Sequence, residues 1–86
     1  MTAKKYADAL PLAKKLAELD PKNPGAPFAA ATAHAALKQH AEAAAQWTRL
    51  LELEPKAVTA LDRRGDAYLK MGKFKEAISD FDAYLK

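Results

Sequence analysis

Two histidines, His34 and His40, and a single serine, Ser79, are the side chains from which catalysis would most readily be built. No nucleophile motif surrounds any of them. A helical zinc pair needs its histidines one turn apart around a glutamate, and a spacing of six puts these two on different parts of a hairpin. The chain contains no cysteine, which removes disulfides, thiolate metal ligands and cysteine nucleophiles together. Helix packing or helix-end positions account for both histidines. The sequence reads as that of a non-enzyme without a metal or cofactor.

The charged residues point to solvated surface. With 86 residues, a net charge of +3 and a pI near 9.2, the chain is mildly basic. Lys4, Lys5, Lys14 and Lys15 make the first helical segment basic, and Asp8, Glu18 and Asp20 dilute it. Nucleic-acid binders concentrate their cations and, for single strands, add exposed stacking aromatics. RNA binding therefore stands as a distant alternative. Asp8, Lys14 and Lys15 interrupt any signal-peptide core. The apolar run from Ala26 to Leu37 is too short to cross a bilayer. A soluble, cytoplasmic protein is the expectation.

What must position these side chains is a set of helices. Alanine is abundant while glycine and serine are scarce, a composition that favours helix. Shifting the sequence against itself by 34 residues aligns Ala9, Ala43 and Ala77, and with them Ala13, Trp47 and Phe81. Tyr6, His40 and Phe74 make a further column, as do Leu16, Leu50 and Tyr84. Where two copies exist, Pro21 pairs with Pro55, Ala31 with Gly65 and His34 with Tyr68. That period is the length of a helix hairpin, a unit that buries its apolar face only by stacking on neighbours. The spacing predicts helices over about 6–19, 24–38, 41–54, 57–71 and 74 onward, with Asn23 capping the second. Residues 1–23 form a half repeat, 24–57 a full one and 58–86 a nearly full one. Pro11 falls inside the first helix, where a kink or a frayed first turn is expected.

Between Leu61 and Phe81 the sequence reads L-x2-R-G-x2-Y, then A-x3-F, and between Pro27 and Pro55 it reads P-x2-A-A-x2-H, A-x3-W, P. These stretches resemble the tetratricopeptide repeat, whose pattern is W-x2-L-G-x2-Y, A-x3-F, P. Leu61 stands for the tryptophan and Arg64 for the leucine. The resemblance covers nearly the whole chain. It implies an all-α, right-handed superhelical stack of antiparallel hairpins with five helices, in which the first helix of each pair lines a concave groove. Such modules bind a peptide or partner protein and serve as scaffolds.

The groove face of the second helix carries Phe28 and Thr32, and that of the fourth carries Thr59, Asp62, Arg63, Asp66 and Lys70. These are the candidate partner-binding residues, apolar on one side and mixed in charge on the other. Phe28 packed against the first helix, beside an ordinary solvated charged face, is the competing expectation. Some relatives clamp acidic chaperone tails with Lys, Asn and Arg. Arg63 matches the clamp's arginine, but Thr59 and Ala29 occupy the other two positions and Asp62 and Asp66 would repel a carboxylate. Ile78, Tyr84 and Leu85 would face a missing neighbour, so either the chain is part of a longer array or it self-associates through that end.

Overall fold

The computed structural model describes residues 3–86. It contains five α-helices: α1 (Ala3–Leu19), α2 (Gly25–Ala36), α3 (His40–Leu53), α4 (Val58–Lys70) and α5 (Phe74–Leu85). Each helix packs chiefly on the helix before and after it in sequence, which makes an all-α solenoid of antiparallel hairpins. No helix among the described residues is long and apolar enough to cross a membrane.

The turns show why the elements end where they do. After α2, the amide of Gln39 donates to the carbonyl of His34 and the amide of Lys38 to that of Ala35. After α4, Lys73 donates to Tyr68 and Gly72 to Leu69 in the same way. This is the Schellman closure of a helix C-terminus, and it needs one residue in the left-handed region. Gly72 takes that position at φ 79°, and Lys38, its counterpart one repeat earlier, is held there at φ 62°. At the other type of turn, Pro21 and Pro55 follow α1 and α3. The Oδ1 of Asn23 accepts the Gly25 amide at 2.8 Å. Asn23 therefore caps α2 as expected, through an Asx turn one residue ahead of the formal boundary at Pro24.

The frayed first turn expected near Pro11 is absent: α1 runs as unbroken helix from Ala3 through Pro11 to Leu19. Proline removes only the amide that Ala7's carbonyl would accept, and both residues are exposed, so water can serve that carbonyl. The side chain of Lys4 lies outside the described residues.

Helix spacing is set by small residues. Among the described residues, the buried apolar side chains apart from Trp47, Leu50 and Pro27 are all alanines. Ala31, Ala43, Leu50 and Ala60 enclose Trp47, which is 1% exposed. One repeat later a glycine is required: a Cβ on Gly65 would stand 2.8 Å from the Phe81 ring, a distance no ordinary contact allows. The repeat frame puts Phe74 in the packing interior with Trp47, Tyr68 and Phe81, yet it is 60% exposed. It opens α5, and helical side chains lean toward the N-terminus, which carries its ring over the turn and out of the stack.

Candidate functional site

The first helices of the two hairpins, α2 and α4, flank a groove floored by α3. At one end of it lies an apolar cavity of about 280 Å³ lined by Phe28, Leu50, Ala57, Thr59 and Ala60. Phe28 is half exposed, and its ring stands edge-on to Trp47 with centroids 5.7 Å apart and planes at 81°. Edge-to-face geometry sets the positive ring edge against the negative π face, so a buried indole braces the exposed ring. At the other end, His40, Trp47, Arg63, Asp66 and Lys70 line a smaller depression of about 90 Å³. Lys70 pairs with Asp66 at 3.1 Å along the helix. That pair is exposed and contributes a few tenths of a kcal/mol, roughly 0.3–0.5. Trp47 thus links an apolar subsite to a charged one.

Five of the seven groove residues come together in these two subsites: Phe28 and Thr59 in the first, and Arg63, Asp66 and Lys70 in the second. Asp62 lines neither. Thr32 also stands outside both, and its hydroxyl donates to the Phe28 carbonyl at 2.8 Å. Phe28 neither projects freely nor is buried; it is anchored on α3. Ile78, Tyr84 and Leu85 are exposed on α5, at 67%, 41% and 79%. His34 is half buried, with its Nδ1 2.7 Å from Oε1 of Gln39. Among the described residues neither histidine joins a group able to hold a metal ion.

Sequence reasoning missed the strongest polar contact among the described residues. Arg64 makes a two-pronged bond to Asp80, Nε to Oδ2 at 2.8 Å and Nη2 to Oδ1 at 2.7 Å. Its remaining prong donates to Oγ1 of Thr48 at 3.0 Å, and the guanidinium carbon lies 5.6 Å from the centre of the Tyr68 ring. Among the described residues Asp80 is the one charged side chain in the buried set. Its hydrogen bonds to Arg64 raise the arginine's pKa above its usual value against the opposing cost of burial. A pKa raised in the folded state stabilises at every pH below the ordinary arginine value, so this contribution persists until strongly alkaline conditions. The available signal was an arginine in a column whose other member is Ala30, with an aspartate next to the interior residue Phe81.

A family model described as "Anaphase-promoting complex, cyclosome, subunit 3" matches residues 2–84. Among solved structures, one titled "First TPR of Spaghetti (RPAP3) bound to HSP90 peptide SRMEEVD" is 32% identical with a TM-score of 0.89, over 95% of this chain and 65% of that one. MamA AMB-1 is 30% identical with a TM-score of 0.88, over 94% of this chain and 48% of its own. MamA MSR-1 is 30% identical, also with a TM-score of 0.88, over 93% and 46%. The chain spans less than two thirds of each of these solved chains.

Proposed function

This chain belongs to the tetratricopeptide-repeat family, matched along nearly its whole length, and we propose that it is a non-catalytic interaction module holding an extended peptide of a partner protein in the α2–α4 groove. The observation that carries the reading is the half-exposed Phe28 ring braced on Trp47 beside an apolar cavity. A rigid aromatic next to a pocket is the kind of anchor that dominates interface energetics. An apolar side chain of the peptide enters the Phe28–Thr59 cavity, and its charged neighbours reach Arg63, Asp66 and Lys70. The solved relative that carries an HSP90 peptide supports the use of this fold for peptides. Here Thr59 and Ala29 occupy clamp positions and Asp66 stands beside Arg63, so a peptide of mixed charge fits better than an acidic tail.

Selection from a peptide library, with SRMEEVD as a comparison probe, tests this. Phe28→Ala and Arg63→Glu should each weaken the best selected peptide tenfold or more, equivalent to about 1.4 kcal/mol. Both positions are exposed, so circular dichroism should be unchanged. Retention of full affinity in both variants would rule out the groove. If SRMEEVD outcompetes every selected peptide, the mixed-charge assignment is wrong.

A second reading rests on Ile78 and Leu85, which with Phe74 form an exposed apolar strip along α5. Exposed patches of this kind mark association surfaces. Self-association through α5 predicts a mass in light scattering that rises with concentration and returns to that of a monomer in Tyr84→Lys/Leu85→Glu. A constant monomer mass at high concentration excludes it.

A further inference from the structure

On the face opposite the groove, α1 and α3 stand apart above α2 and leave a cavity of about 350 Å³. The corresponding space between α3 and α5 is filled. There Arg64 rises from α4, bonds to Thr48 on α3 and closes on Asp80 of α5. The repeat period places Ala30 where Arg64 stands, Lys14 where Thr48 stands and Gln46 where Asp80 stands. All three line the cavity. The first junction has therefore lost its plug, lost the carboxylate that would match a cation, and gained a cation on its wall.

The remaining walls fit an amphipathic guest. Leu10, Ala13, Ala17 and Pro27 supply an apolar floor, and Lys14 and Arg49 stand at the rim. Arg49 donates to the Pro21 carbonyl at 3.4 Å and lies 3.6 Å from Glu52 in an exposed pair. Glu52 therefore offsets part of its charge and leaves Lys14 as the principal cation. His34 also lines the cavity, with its Nδ1 committed to Gln39. The volume lies at the lower end of the ligand range, roughly 300–1,000 Å³.

We propose that this convex-face cavity binds a small amphipathic carboxylic acid, its aliphatic or aromatic body on the α1–α2 floor and its carboxylate beside Lys14. The guest inverts the charge logic of the neighbouring junction, where the plug is the cation and the wall is the anion. The site is separate from the α2–α4 groove and does not depend on peptide binding there.

Titration of the isotope-labelled chain with 3-phenylpropionate and with its neutral amide, followed by amide chemical shifts, tests the assignment. Saturable shifts should cluster around Ala13, Ala17 and Ala30, with the acid binding roughly fivefold more tightly than the amide, the effect of one exposed charge pair. Lys14→Ala should bring the acid down to the amide's affinity and leave the amide unchanged. Ala30→Arg should abolish binding of both by installing the residue that fills the other junction. Lys14 is exposed, so its variant remains informative even if Ala30→Arg fails to fold. Equal binding of acid and amide, shifts that survive Ala30→Arg in a folded protein, or no saturable response at millimolar acid would each overturn the proposal.

Discussion

Trp47→Ala should remove ~3–5 kcal/mol of folding stability, the cost of emptying a large aromatic site. The upper half of that range is expected because most of the surroundings cannot collapse. Ala31, Ala43 and Ala60 line the indole, and alanine has no side-chain freedom with which to fill a void. Helix backbones would have to move instead, and the hairpin turns on either side hold them. Native domains have only about 5–15 kcal/mol in total, and a chain of this length sits toward the lower end. The variant should therefore be largely unfolded or close to its transition at ambient temperature. Urea denaturation followed by circular dichroism is the appropriate measurement, since Trp47 is the only tryptophan and fluorescence disappears with it. Trp47→Phe, which retains a ring for Phe28 to meet, should recover a substantial part of the loss. A cost below ~1 kcal/mol, the level of an average substitution, would show that the indole does not organise the core.

Asp80→Ala should be the second most damaging change, for a different reason. It strands the charge of an arginine side chain that is only 20% exposed and leaves it with Thr48 and the Tyr68 ring as partners. Removing one member of a buried pair can cost ~3–5 kcal/mol. Partial access of water to Arg64 argues for the lower end, about 2–3 kcal/mol. The double variant Arg64→Met/Asp80→Leu removes both charges while keeping volume, and should return most of that stability. The two curves together separate the cost of an orphaned charge from the value of the pair. If Asp80→Ala is as mild as a surface change, or if the double variant is additive rather than compensating, the buried-pair description fails.

The repeat period carried most of the fold. Small residues at Ala43, Ala77 and Gly65 recur because backbones meet there, and close approach leaves few residue choices. The Schellman turns were legible at Gly72 but not at Lys38, because a lysine gives no local sign of a left-handed backbone; only its position one repeat before Gly72 does. The groove was legible in outline. That Phe28 would sit edge-on to Trp47 was not, since ring orientation depends on three helices at once. The Arg64–Asp80 pair was hidden because its partners lie on different helices, and each alone reads as an ordinary surface charge. Phe74 misled because its column holds a ring in every copy (Tyr6, His40 and Phe74), while its place at the start of α5 directs the ring outward.

Neighbour-only packing has a kinetic meaning. With each helix resting chiefly on the one before and the one after it, most native contacts form without distant parts of the chain having to find each other first. Closing short loops costs little entropy, and folds dominated by local contacts assemble in microseconds to milliseconds. Growth can begin at the Trp47 layer, where α2, α3 and α4 meet, and extend outward one helix at a time. Unfolding runs the same route in reverse. Amide exchange should therefore be slowest in α3 and faster toward α1 and α5, so that the chain unzips from its ends while the floor of the groove is the last part to open.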